Sequence, residues 1–148
     1  MQIKGSHIIQ DQSPGNVWNY LVDPKVLSKV TPGLTELVVL EKDQFKAISE
    51  IKIGPVKGRF EGELGLTDRV ETERTTVVVH QKSKIGNVSA CIRVHLFPIN
   101  GSTEVNYDGE AKMAGKLATM GQRIIGGVIN SLSKQFFKNL ENEILNDK

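Results

Sequence analysis

Residues of the types that carry out catalysis or bind metals are few in this sequence and lie far apart. The three histidines, His7, His80 and His95, lack the spacing of metal ligands, and Cys91 is the single cysteine. A zinc site needs a cluster of cysteine and histidine ligands, and a nucleophilic cysteine needs a neighbouring base or a helix N-terminus. The sequence therefore predicts neither a metal site nor a catalytic residue.

Three polar side chains are candidates for contact with a ligand. His7 shares one face of a predicted strand with Ile3 and Ile9, so we predict that it points inward, either as a base or as a hydrogen-bonded core residue. Gln122 and Arg123 lie early in the last predicted helix, where they can orient a carbonyl or carboxyl group at one end of an apolar pocket. The alternative at these two positions is a capping amide and a surface arginine.

Length and composition indicate one domain, spanning residues 1–148, and exclude some classes of function. The formal net charge is only +2 and the basic residues are scattered along the sequence, so we predict no binding to nucleic acid. One cysteine allows no internal disulfide bond. The polar segment after Met1 does not resemble a signal peptide, and no apolar run is long enough to span a membrane. We therefore expect a cytoplasmic protein.

Alternation of apolar and polar residues predicts a series of β-strands. Val56, Phe60 and Leu64 share one face of the clearest strand, with charged residues on its other face. Asn100-Gly101 is typical of a tight hairpin turn. The predicted strands span residues 2–10, 37–40, 45–53, 56–66, 75–82, 88–97 and 103–113.

The remaining segments are predicted to be helical. Ser13-Pro14 and Asp23-Pro24 each begin a short helix after the first strand. Residues 115–148 are predicted to form one long helix, although each internal glycine costs about 1 kcal/mol relative to alanine. These glycines provide either space for a ligand or close packing against the sheet. The predicted apolar stripe of this helix comprises Leu117, Gly121, Ile124, Val128, Leu132, Phe136 and Leu140.

The order of these elements predicts an α+β fold. Consecutive strands joined by short turns form an antiparallel sheet, here of about six or seven strands. Only the C-terminal helix is long enough to cover its apolar face. We therefore predict a strongly curved sheet wrapped around that helix, with the two short helices closing one end of the space between them.

Four segments give the sequence a resemblance to a known family. They are residues 17–24 (VWNYLVDP), Pro32-Gly33, residues 54–62 (GPVKGRFEG) and residues 115–123 (GKLATMGQR). Through them the sequence resembles the G subunit of carbon monoxide dehydrogenase, within the START-like or Bet v 1-like superfamily of helix-grip folds. The resemblance implies a non-catalytic accessory protein of a carbon monoxide dehydrogenase-type molybdenum hydroxylase. It further implies contact with the subunits of that enzyme and peripheral contact with the inner face of the membrane.

The resemblance also implies a hydrophobic cavity between the sheet and the C-terminal helix, binding a small molecule such as a quinone or a lipid, with no covalent or metal cofactor. Two alternatives stay open. A cyclase or hydrolase of the same superfamily needs at least two ionisable groups in the cavity, and the inward faces offer only His7 and Tyr107. An interaction adaptor needs only a packed core. The residues expected to line the cavity are Phe60, Leu64, Ile92, Val94, Tyr107, Leu117, Gly121, Ile124 and Val128.

Overall fold

The computed structural model describes residues 1–147, in which seven strands form one antiparallel sheet and four helices follow or interrupt it. The α+β prediction is confirmed, including the two short helices after the first strand. The strands are β1 (Gln2–Ile9), β2 (Leu34–Glu41), β3 (Gln44–Ile53), β4 (Val56–Val70), β5 (Arg74–Ser83), β6 (Gly86–Ile99) and β7 (Ser102–Ala114). The helices are α1 (Pro14–Leu21), α2 (Pro24–Val30), α3 (Lys116–Thr119) and α4 (Gln122–Asn146).

The sheet has the strand order β1-β7-β6-β5-β4-β3-β2. Strands β2 to β7 form a meander of consecutive hairpins, and β1 returns to pair with β7, from Gln2 opposite Glu110 to Ile9 opposite Thr103. At the β6–β7 turn, Asn100 and Gly101 both have positive φ, +47° and +79°. This is the conformation of the tight hairpin turn that the Asn-Gly pair predicts.

Side-chain caps fix the starts of the two short helices. The Ser13 hydroxyl accepts a hydrogen bond from the backbone N–H of Asn16 at 3.2 Å, and the Asp23 carboxylate accepts one from the N–H of Lys25 at 2.9 Å. Each cap satisfies a backbone donor that the first helical turn leaves free. The predicted starts of α1 and α2 are therefore confirmed.

The C-terminal helix is not continuous, which corrects the prediction of one helix from residue 115. Gly115 (φ +71°, ψ −146°) precedes α3, and Gly121 (φ +86°, ψ 158°) separates α3 from α4. Both glycines have backbone angles that side-chain-bearing residues rarely adopt. Helix α4 ends at Asn146, and the predicted helix end at Lys148 lies outside the described residues.

The buried face of α4 also differs from the predicted one. Ile125 is buried, whereas Ile124 is 42% exposed, and Gly121 lies on the surface before the helix begins. The predicted positions of Gly121 and Ile124 in the apolar stripe are therefore wrong: Gly121 precedes the helix, and Ile125 rather than Ile124 shares the buried face of α4 with Val128. The buried residues of α4 are Ile125, Val128, Phe137, Leu140 and Ile144.

Candidate functional site

Helix α4 is held against the rest of the molecule by one apolar cluster near each end. At its C-terminal half, Leu140 (0% exposed) and Ile144 (2% exposed) pack with residues of α1, α2, β6 and β7. We call this group the α2 cluster; it comprises Ile9, Val17, Trp18, Val26, Val30, Leu96, Val105, Phe137, Leu140 and Ile144. At the N-terminal end lies the α3 cluster, which comprises Val56, Phe60, Leu117, Ile125 and Val128.

Between these two clusters lies a small third one, in which Ile129 of α4 packs against Ile3, Ala90 and Ala111. Around it, the apolar face of the sheet is incompletely covered. Leu64, Ile92 and Val94 lie on interior strands of the sheet, yet each is only half-buried. An apolar side chain in the middle of a covered sheet is normally buried, so α4 leaves part of this face open to solvent. We call the open region the central groove; it comprises Leu64, Val77, Val79, Ile92 and Val94 of the sheet and Leu132 and Phe136 of α4.

Beside the groove, a small cleft opens between β1 and the N-terminal half of α4. Its volume is about 100 Å³, whereas pockets for drug-sized ligands typically occupy roughly 300–1,000 Å³. The neutral polar side chains of its wall are those of Gln2, Tyr107, Asn130 and Ser133. The lining residues are Met1, Gln2, Ile3, Lys4, Tyr107, Gly126, Ile129, Asn130 and Ser133.

A second small cleft, of about 110 Å³, lies beside the other end of β1. It is lined by Ile9, Gln10, Asp11, Gln12, Glu141, Ile144 and Leu145. Neither of these two clefts is large enough to enclose a small molecule with a long apolar chain, so neither is by itself the hydrophobic cavity that the resemblance implies.

Three aromatic rings join β1, β7 and α4 next to the first cleft. The Phe137 ring stacks on His7, with ring centroids 5.0 Å apart, and on Tyr107, with centroids 5.7 Å apart. Gly5 lies directly opposite Tyr107 in the β1–β7 pair, and a Cβ atom at Gly5 would collide with the Tyr107 hydroxyl. The absence of a side chain at Gly5 thus lets Tyr107 lie across β1 toward α4.

The half-buried His7 is engaged by α4 as well as by the aromatic rings. Its Nε2 atom contacts the carboxylate of Glu141. His7 is not among the residues that line the cleft with Tyr107. The arrangement matches a hydrogen-bonded histidine that ties β1 to α4, rather than a base that shares a ligand pocket with Tyr107.

Comparison with known families identifies the chain at this point. Residues 5–145 match the family model of the carbon monoxide dehydrogenase G subunit (CoxG). The chain belongs to the CoxG family. No curated protein matches it significantly.

Solved structures agree with the fold of this CoxG-family chain. A conserved protein from Geobacillus kaustophilus is 33% identical, with a TM-score of 0.95 over 99% of this chain and 96% of that one. A START superfamily protein from Mycobacterium smegmatis is 14% identical, with a TM-score of 0.73 over 99% of both chains. A protein from Thermus thermophilus is also 14% identical, with a TM-score of 0.74 over 100% of this chain and 99% of that one. The fold is therefore START-like.

The nine residues expected to line a cavity occupy four different environments in this CoxG-family fold. Phe60, Leu117 and Val128 are buried in the α3 cluster. Leu64, Ile92 and Val94 belong to the central groove, and Tyr107 lines the first cleft. Gly121 and Ile124 are on the surface, as are the two polar candidates Gln122 and Arg123, because all four lie at the exposed start of α4.

Several residues at the site were not anticipated from the sequence. On α4, Asn130 and Ser133 lie on the same side of the helix as Gly126, at spacings of four and three; only the glycine was expected to make space for a ligand. That spacing could have indicated a second helix face beside the apolar stripe. The contact between His7 and Glu141 has no local signal, because the partners are 134 positions apart.

The three glycines near the start of α4, Gly121, Gly126 and Gly127, lie in different structural environments. Gly121 supplies a backbone conformation with φ +86°. Gly126 lines the first cleft, where an added Cβ would lie 3.4 Å from the Met1 Cε atom. Gly127 is exposed, and nothing lies within 4 Å of an added Cβ there. Of the three, only Gly126 faces the cleft.

Membrane-spanning helices and clusters of metal ligands are both lacking in the described part of the chain. Among residues 1–147, no helix is both long and apolar enough to cross a membrane. Over the same residues, no three His, Cys, Asp or Glu side chains come together as a group that could hold a metal ion.

Proposed function

We propose that this protein is a non-catalytic accessory protein of a carbon monoxide dehydrogenase-type molybdenum hydroxylase, and that it binds a hydrophobic small molecule between its sheet and α4. The observation that carries the proposal is the central groove. Leu64, Ile92 and Val94 are half-buried in the middle of the sheet, although both ends of α4 are packed tightly. Apolar surface that stays open to water there gains free energy when an apolar ligand covers it.

The bound ligand needs more space than the present clefts offer. A cleft of about 100 Å³ accommodates a small group, but not an apolar tail as well. The fully buried residues of α4 lie in the α2 and α3 clusters, whereas Leu132 and Phe136, which pack at the edges of those clusters, are only partly buried. We therefore expect this middle section of α4 to be the part that moves away from β5 and β6. Binding therefore includes a local displacement of α4, and the ligand's apolar tail replaces water in the central groove.

The first cleft supplies polar groups that orient the ligand. The Tyr107 and Ser133 hydroxyls and the Asn130 amide line the same wall, and each can donate a hydrogen bond to a carbonyl oxygen. A quinone or a lipid with a carbonyl-containing head group fits this combination of a few polar groups beside an apolar surface. A quinone suits an accessory of a redox enzyme, and we place its exchange in the cytoplasm at the inner face of the membrane.

Ligand binding can be tested with protein purified from its own host. Native mass spectrometry is expected to detect a bound quinone or lipid, and added decylubiquinone is expected to raise the melting temperature, because a ligand that binds only the native state stabilises it. Repeated absence of a bound molecule, together with no rise in melting temperature, would contradict the proposal.

Adjacent glycines of α4 offer a matched pair of variants for the same assay. Gly126→Leu places a side chain in the first cleft, whereas Gly127→Leu places the same side chain on the exposed face. We expect Gly126→Leu to abolish the decylubiquinone-induced rise in melting temperature and Gly127→Leu to retain it. Equal responses from the two variants would show that the ligand does not use this cleft.

The small volume of both clefts favours one other function, that of a protein-interaction adaptor with a packed core. The adaptor would bind the subunits of the dehydrogenase without any small molecule. Two results together would distinguish an adaptor from a ligand-binding protein. The dehydrogenase subunits would co-purify with the Gly126→Leu variant, and quinones would not raise the melting temperature of the wild-type protein.

A further inference from the structure

Basic side chains that are scattered in the sequence lie together at the end of the molecule that contains α3. They come from the β3–β4 hairpin, the β5–β6 turn, the end of β7, α3 and the start of α4. We call this surface the basic end; its cations are Lys52, Lys57, Lys84, Lys112, Lys116 and Arg123. All six of these side chains are exposed.

Packing within the α3 cluster holds these segments next to one another. Val56 of β4, Leu117 of α3 and Ile125 of α4 belong to that cluster, and Ile85 of the β5–β6 turn packs against it. The backbone N–H of Leu117 also donates a hydrogen bond to the carbonyl of Ile85 at 2.9 Å. The convergence of the cations therefore follows from the hydrophobic core beneath them.

Carboxylates do not neutralise this surface. Residues 51–58, 83–90 and 111–128 contain no Asp or Glu, and within residues 1–147 none of the six cations forms a salt bridge. The adjacent Glu61 pairs with Arg59 and lies opposite Lys82, and Glu110 lies beside the α-amino group of Met1. Since the whole chain has a net charge of only +2, the rest of its surface is net negative.

One pair of these cations is placed unfavourably for an isolated protein. Lys52 and Lys57 lie directly opposite each other in the β3–β4 pair. Like charges at directly opposed positions destabilise an antiparallel pair. An anionic partner on this surface would relieve that repulsion.

Apolar groups accompany the cations, and they indicate the kind of anionic partner. Ile124 is 42% exposed, Pro55 is exposed and Met120 is half-buried. Trp18, the single tryptophan, packs in the α2 cluster at the other end of α4, so it is not placed to stack on nucleic acid bases. Exposed aliphatic groups surrounded by Lys and Arg are typical of proteins that bind the interface of anionic membranes.

We propose that the basic end docks on the surface of an anionic phospholipid bilayer, with Ile124 reaching the head-group region. The charge distribution supports this docking whether or not a ligand occupies the groove. If the proposed function also holds, docking brings one end of the first cleft near the lipid from which an apolar ligand would enter, because Gly126 lies only about 3 Å further along the helix axis than Ile124, although the two residues point to different sides of α4.

The test is co-sedimentation of the full chain with vesicles made of equal parts phosphatidylglycerol and phosphatidylcholine, at low salt. Binding is expected to these vesicles and not to pure phosphatidylcholine, and it is expected to weaken as salt screens the charges. Each basic residue near an anionic surface changes the partition coefficient about fivefold, so removing three is expected to weaken binding about a hundredfold. The variant is Lys57→Gln, Lys84→Gln, Lys116→Gln, with one change in each of three segments.

A control with the same net charge separates docking at this surface from a general charge effect. Lys25→Gln, Lys42→Gln, Lys138→Gln changes three exposed lysines outside the basic end and is expected to retain most of the binding. Equal loss in both triple variants, or no binding of the wild-type protein to anionic vesicles, would overturn the proposal. Binding to duplex DNA but not to vesicles would also overturn it, because the partner would then be a nucleic acid.

Discussion

Replacement of Gly127 by alanine is expected to stabilise the protein, whereas the same replacement at Gly121, near the start of the same helix, is expected to destabilise it. Gly127 lies inside α4, is exposed and has nothing within 4 Å of an added Cβ. Gly121 also has open space around an added Cβ. The two positions therefore differ mainly in backbone conformation rather than in packing.

The magnitudes follow from that difference. Alanine inside a helix is favoured over glycine by about 1 kcal/mol, so Gly127→Ala is expected to raise the free energy of unfolding by about that amount. Gly121 has φ +86° and ψ 158°, a region that only glycine adopts readily. Forcing another residue into it costs on the order of 1–3 kcal/mol. For a chain of this size, 1 kcal/mol corresponds to a change in melting temperature of about 3 °C.

Thermal and urea unfolding of the two variants and the wild-type protein measure these effects. The expected order of melting temperature is Gly127→Ala, then wild type, then Gly121→Ala. A destabilised Gly127→Ala would mean that this residue contacts another part of the protein. A Gly121→Ala variant as stable as the wild type would mean that α3 and α4 form one continuous helix, and the reasoning would be refuted.

Two further predictions concern the C-terminal half of α4. The Leu140 side chain is 0% exposed, and Leu140→Ala is expected to lower the free energy of unfolding, measured in urea, by about 2–5 kcal/mol. The Leu145 side chain is 60% exposed, and Leu145→Ala should change that free energy by no more than about 0.5 kcal/mol. Similar losses in the two variants would contradict the assigned helix face. The hydrogen bond to Asp147, followed by burial and by the negative charge of that carboxylate, raises the pKa of Tyr20 above 10.0. Because the neutral Tyr20 phenol is favoured in the folded state, the free energy of unfolding should fall as pH rises from about 10 through the folded-state pKa. The test follows the phenolate absorbance of Tyr20 in a Tyr107→Phe background. Adding Asp147→Asn to that background should move the titration to lower pH.

Much of the sheet could be predicted because its residues alternate along each strand. Val56, Phe60 and Leu64 of β4 were assigned to one face by alternation alone, and Val56 and Phe60 pack together against α4. The caps of α1 and α2 were also predictable, since Ser13 and Asp23 act on backbone N–H groups close to them in sequence. In both cases the interactions that decide the structure are local.

The start of α4 could not be assigned with the same success. Ile124 and Ile125 are adjacent and both apolar, as are Phe136 and Phe137, so two helix registers fit the sequence. The packing of Ile125 in the α3 cluster and of Phe137 in the α2 cluster decides between them, and these contacts join residues far apart in the chain. The fully buried member of each pair is therefore the second one, although Phe136 is also partly buried against the α2 cluster.

The sequence by itself determined the order of the elements, the apolar face of the sheet and the family to which the chain belongs, because periodicity and motifs are properties of neighbouring residues. Only the tertiary structure decided how fully α4 covers that face, since the α2 and α3 clusters join residues far apart in the chain. It also decided that the segments carrying the cations from Lys52 to Arg123 meet over the α3 cluster. Charges scattered in sequence become neighbours when strands and helices pack on a common core, and that proximity cannot be read from spacing along the chain.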